Sequence, residues 1–185
     1  MRVLNAVLSV AFMLFLSARA AVARGGENSV PVVKLEFSAV PEKQSYQVGE
    51  IVRLVFALNN SGDHSVLVAR HFILHEYVWL AISGPEGKEL GWCGKIDGRV
   101  ESPDEFAILA PGATIRSVVR VSCDAHRDSG FVLDRPGTYT VSAYYHLTQP
   151  ATYLRRMAGN APVTTDRIRA KPVVIVLKSS LGGER

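Results

Sequence analysis

The sequence predicts an all-β fold: an antiparallel sandwich of about seven to nine strands behind a cleaved export signal. Three observations predict it. Short runs rich in β-branched and aromatic residues follow one another at sandwich-like spacing. Clusters of Gly, Pro, Asn and Asp punctuate them. Helical periodicity is nearly missing beyond the first 30 residues.

Taken in order, Val32 to Val40 is the first run, and Pro41 ends it. Val48-Gly49-Glu50 reads as a turn, Ile51 to Leu58 as a strand, and Asn59-Asn60-Ser61-Gly62-Asp63 as its closing turn. Ser65 to Ala69 is a short β-branched run. Tyr77 to Ile82 follows, then the hairpin signal Ser83-Gly84-Pro85-Glu86-Gly87. Phe106 to Leu109 leads into Ala110-Pro111-Gly112. Ile115, Ser117, Val119 and Val121 then alternate with Thr114, Arg116, Val118, Arg120 and Ser122, the period of two of a half-buried antiparallel strand. Pro136-Gly137 makes a tight turn, and a strand opens at once with Tyr139, whose face continues through Val141, Ala143 and Tyr145. A tyrosine at that place matches the tyrosine corner of immunoglobulin-like sandwiches, where the phenol bonds back to upstream backbone. Ala170 to Lys178 is the last strand. Two connections are long: Gly91 to Glu105, and Gln149 to Arg169, with one short helical turn expected over 152–158.

The N-terminus carries the export signal. Arg2 precedes an apolar run from Val3 to Leu16, and Ala21-Val22-Ala23 gives signal peptidase the small residues it needs. The run is about 14 residues, short of the ~20 that span a bilayer. The expected organisation is therefore a signal peptide over 1–23, an extension over 24–30, the sandwich over 31–178 and a polar tail over 179–185. A membrane span is not expected after cleavage, and the compartment is secreted or periplasmic.

Composition narrows the function classes. Residues 1–23 hold two of the 21 basic residues and no acid, so cleavage lowers the formal charge from +4 to +2. That near-neutral balance gives no footprint for nucleic acid. Cys93 and Cys123 are the two cysteines, both in the exported part. An even count in an oxidising compartment predicts a disulfide contributing about 3–4 kcal/mol.

No catalytic constellation emerges. The nucleophile elbow G-x-S-x-G is missing, and His75-Glu76 meets Trp79 where a zinc-binding helix needs its second histidine. His71 and His75 would share a face if 71–75 were a strand, which makes them the candidate metal ligands, but no third ligand is identifiable. Asp124 and His126 could stand as carboxylate and imidazole neighbours. Carboxylates at Glu86/Glu89 and Asp104/Glu105 fall in turns and read as solvation. Asn59-Asn60-Ser61 matches a glycosylation sequon. No cofactor and no enzymatic activity are expected.

An ordered string of motifs resembles a known domain. Leu58-Asn59-Asn60-Ser61 follows a strand, Gly87-Lys88-Glu89 precedes Gly91-Trp92-Cys93-Gly94, and Arg99 and Pro103 precede Phe106-Ala107-Ile108-Leu109-Ala110-Pro111-Gly112. Pro136-Gly137-Thr138-Tyr139-Thr140-Val141 closes the string. Residues 35–145 thereby resemble the N-terminal β-sandwich domain of secreted aspzincin metallopeptidases, the deuterolysin and peptidyl-Lys group. The family's zinc motif is missing from the 40 residues after Tyr145, so no catalytic residue carries over. The resemblance implies a stand-alone accessory domain.

The resulting expectation is an exported binding module that recognises a protein or envelope component through its loops. Its candidate contacts are Trp92, Tyr153, Leu154, Arg155, Arg156, Met157, Arg167 and Arg169, since Trp, Tyr and Arg most often anchor interfaces. Trp92 has an equal alternative, core packing against the disulfide. Two further alternatives are a protease inhibitor or chaperone, with a secreted peptidase as partner, and a small metal-binding protein using His71 and His75.

Overall fold

A computed structural model describes residues 33–94, 102–123 and 129–179. The signal over 1–23, the extension over 24–30, the tail beyond 179, Arg99 and the Asp124/His126 pair lie outside the described residues. The chain runs β1 (Leu35–Pro41), β2 (Tyr46–Gln47), β3 (Arg53–Asn60), β4 (Val66–Ala69), β5 (Val78–Ser83), β6 (Trp92–Cys93), a 3-10 turn (Pro103–Glu105), β7 (Phe106–Leu109), β8 (Thr114–Arg120), β9 (Gly130–Phe131), β10 (Gly137–Tyr145), α1 (Ala151–Ala158), β11 (Ile168–Arg169) and β12 (Val173–Lys178).

The predicted sandwich is there. One sheet is antiparallel with order β1-β3-β8. The other joins β5, β10, β12 and β2, with β11 extending beside the end of β10. Strand β2 runs parallel to β12. In the lettering of immunoglobulin-like sandwiches, β1, β3 and β8 stand where A, B and E stand, and β5, β10 and β12 where C, F and G stand. The place of D beside β8 is different: β7 pairs with β4 instead.

Alternation builds the core. Leu54, Phe56 and Leu58 of β3 are buried completely, as is Val141 of β10, with Tyr139, Ala143 and Tyr145 on the same face nearly so. Phe37 stacks on Phe56 at 5.6 Å, and Phe72 meets Tyr145 edge-on at 6.1 Å. Each such side chain contributes about 1.5–3 kcal/mol by leaving water. The tyrosine corner forms as expected: the Tyr139 hydroxyl donates to the Arg135 carbonyl at 2.8 Å. The preceding Gly137 sits at φ 140°, where a Cβ would strike the Pro85 ring.

Several expectations are corrected. Residues 149–169 are ordered into an eight-residue helix and a short strand, rather than a patternless loop with one helical turn. Residues 71–75 are no strand; His75 takes the left-handed conformation at φ 64°. Glu105, read as solvated, is 6% exposed and accepts a hydrogen bond from the Tyr77 hydroxyl at 2.7 Å.

Candidate functional site

Register fixes which loops meet. Asn59 pairs with Thr114 and Tyr145 with Val78, so strand ends alternate predictably across each sheet. The β4–β7 pair bridges the two larger sheets at one end. The Ala69 N–H donates to the Tyr145 hydroxyl at 2.7 Å, and Asn60 Nδ2 donates to the Leu109 carbonyl at 2.9 Å. That end therefore gathers three connections: 61–77, 110–113 and 146–172. In a variable immunoglobulin-type domain the equivalent end carries binding loops.

The longest of the three is held in place from within. Leu154 is completely buried and Ala158 nearly so, which pins α1 to the core. The Tyr153 ring meets Phe106 at 6.2 Å, and the Leu67 N–H donates to the Pro162 carbonyl at 3.2 Å. Leu154 is thus a core residue and not a contact residue, a correction to its reading as part of an exposed surface. Arg155, Arg156, Arg167 and Arg169 are exposed, and Met157 is half-buried. Arg156 lies over the Tyr153 ring at 6.0 Å.

A second group forms on the outer face of the β5–β10 sheet. Trp79, Tyr144 and Arg169 are register partners on three adjacent strands. Trp79 is 39% exposed, and the Arg169 guanidinium lies 5.6 Å above the Tyr144 ring. The row continues sideways, because His75 meets Trp79 at 5.2 Å and Trp92 at 4.0 Å, and Trp92 meets Phe131 at 5.3 Å. Burial among these rings holds the His75 imidazole below the usual histidine range.

The structure thus brings Trp92 and Arg169 into one row and places Tyr153, Arg155, Arg156 and Met157 on a separate helix. Among the described residues, no ring contact or hydrogen bond links the two groups. Trp79 and Tyr144 were missed from sequence. Their signal was present: both occupy the outward phase of a strand, where a large aromatic has no core to fill.

Cys93 and Cys123 form a disulfide, which fits an oxidising compartment. Trp92, next to it, is half-buried and packs against the core, the second of its two expected roles. His71 is exposed and His75 is enclosed by indoles; among the described residues no group of three metal-ligating side chains exists. No helix among them is long and apolar enough to cross a membrane. In comparisons with known proteins, no protein-family model matches the chain and no curated protein matches it.

Proposed function

We propose that the chain is a secreted or periplasmic binding module without catalytic activity, and that its partner is a protein or an envelope component. The observation that carries this reading is the row Trp79, Tyr144 and Arg169. Three side chains of the kinds that anchor interfaces stand side by side on a sheet face, Trp79 and Arg169 exposed and Tyr144 half-buried between them, next to the loop-bearing end. Because sheet and helix are ordered by the core, little entropy is lost when a partner docks. The implied likeness of residues 35–145 to accessory sandwich domains points the same way, and with it a secreted peptidase is one partner to look for.

The test is a cross-linked capture from the host's exported proteins, using the processed chain with its disulfide formed. The double variant Trp79→Ala, Arg169→Ala runs beside it. Loss of the dominant partner from the variant, with unchanged circular dichroism, is the expected result. Capture of the same partner in equal yield would remove this surface from the reading.

A further inference from the structure

We infer that the partner is a protein with an acidic stretch, and that the segment 151–171 is the arginine surface that receives its carboxylates. The inference rests on the reading of the chain as a binding module and names the chemistry of what it binds. The surface has two parts: Arg155 and Arg156 on α1, and Arg167, Arg169 and Lys171 in and beside β11.

Charge comes first. Those five cations share their segment with one acid, Asp166, so it carries a formal charge of +4. The remainder of the chain from Arg24 onward holds 14 basic residues and 16 acids, a balance of −2. All five cations are exposed. Among the described residues, none of them forms an ion pair. Elsewhere in the fold Lys43 meets Glu50, Arg53 meets Glu42 and Arg135 meets Glu86. Positive charge with no internal counter-charge favours an acidic partner and speeds its arrival.

Geometry then selects the ligand. Four of the five cations are arginines, whose planar guanidinium can hold a carboxylate through two parallel N–H bonds. Two of them stand over tyrosine rings, Arg156 at 6.0 Å from Tyr153 and Arg169 at 5.6 Å from Tyr144. A guanidinium over a ring keeps the N–H donors at its edge for an acceptor. Both rings are held by the fold, Tyr153 against Phe106 and Tyr144 in the ladder between β10 and β11. Less side-chain freedom is therefore lost when a carboxylate arrives. A bilayer fits this surface less well. Leu154 and Ala158 turn the apolar side of α1 into the core, and Tyr153 and Met157 pack partly against it, so the helix has no free apolar face to lay among lipid tails. A protein interface needs an aromatic anchor beside its charges, and the exposed Trp79 stands next to Tyr144 in that position.

The probe is a synthetic peptide alternating glutamate and serine, titrated into the exported chain with its disulfide formed. The controls are the same peptide with lysine for glutamate, alginate as a uronate polymer, and phosphatidylglycerol vesicles. The glutamate peptide is expected to bind about tenfold tighter than the lysine peptide, less so as salt rises, with NMR shift changes centred on 151–171. The double variant Arg155→Ala, Arg156→Ala should weaken it about tenfold. Arg155→Lys, Arg156→Lys keeps the charge and loses the fork, and should weaken it about threefold. If the alanine variant misfolds, the lysine variant and the peptide comparison on the unmodified chain decide. Equal affinity for the two peptides would overturn the proposal. So would no binding at millimolar glutamate peptide, full affinity in the lysine variant, or binding to alginate or vesicles with none to the peptide. Failure here is separable from failure of the binding-module reading. A captured host protein that binds the Arg155→Ala, Arg156→Ala variant as well as the parent overturns this inference alone, whereas the capture of no host protein overturns the reading on which it rests.

Discussion

At the scale of single residues, the buried polar groups carry information that their neighbours in sequence do not. Tyr145 is 1% exposed, and its hydroxyl is the acceptor for the Ala69 N–H. Burial pushes its phenol well above the ordinary tyrosine range, so it stays a neutral partner at any working pH. Tyr145→Phe keeps the ring packing and leaves a buried N–H without its acceptor. The expected cost is about 1–3 kcal/mol, read as a lower urea midpoint at constant slope; an unchanged midpoint would mean that water replaces the hydroxyl. His75 gives a pH prediction. Its folded pKa lies below the unfolded value of about 6.5, so between the two the unfolded chain binds the proton and the folded chain does not. Its contribution is therefore present above about pH 6.5 and is lost as pH falls through the folded pKa. The His75→Asn variant, which tolerates the same left-handed backbone, should show a shallower loss of stability between neutral pH and pH 5. Matching slopes in the two proteins would show that His75 is not the group responsible. None of this was legible beforehand: His75 lies in Phe72-Ile73-Leu74-His75, whose apolar character imitates a strand, and only the fold reveals the indoles on both sides.

Among the elements, legibility followed length and periodicity. Strand β8 was read from alternation alone, and Thr114, Arg116 and Val118 are exposed while Ile115, Ser117 and Val119 are half-buried, as that pattern requires. Strands β2, β6, β9 and β11 have two residues each, too few to show any period, and they exist because tertiary contacts bring partners alongside. Strand β9 shows the mechanism: a Cβ on Gly130 would sit 2.8 Å from both the Cys123 nitrogen and the Val121 carbonyl, so a glycine permits the approach. Helix α1 was underread for a different reason. Its eight residues are too short to be stable alone, and its ordering comes from Leu154 and Ala158 entering a core that sequence cannot display. Leu154→Ala should therefore cost about 2–5 kcal/mol and open the segment 150–169 to limited proteolysis. The double change Arg155→Ala, Arg156→Ala should stay within about 0.5 kcal/mol of the parent and keep the segment resistant. If both variants are equally resistant, α1 is anchored by something other than its apolar side.

For the molecule as a whole, two-sheet architecture was legible because local alternation and turn chemistry agree with it. The departure at β7 was not, since choosing β4 over β8 is a non-local pairing that leaves no mark in the run Phe106 to Leu109. The disulfide belongs to this scale too. It joins β6 to the chain just beyond β8, and among the described residues β6 has only the two-residue β9 as its ladder partner. A two-stranded piece of that size is unstable without a covalent or apolar support. Two effects then separate. Reduction releases the constraint on the unfolded chain, about 3–4 kcal/mol, which for a domain of this size lowers the melting temperature on the order of 10 °C. Reduction at temperatures below melting acts locally, on the segment that the bridge holds. Amide exchange on the reduced protein should therefore accelerate at Trp92, Cys93, Cys123, Gly130 and Phe131. The amides of β3 and β10, locked by ladders on both sides, should keep their rates. A uniform acceleration through both sheets would show instead that the bridge supports the sandwich globally, and an unchanged melting temperature after complete reduction would show that it supports neither.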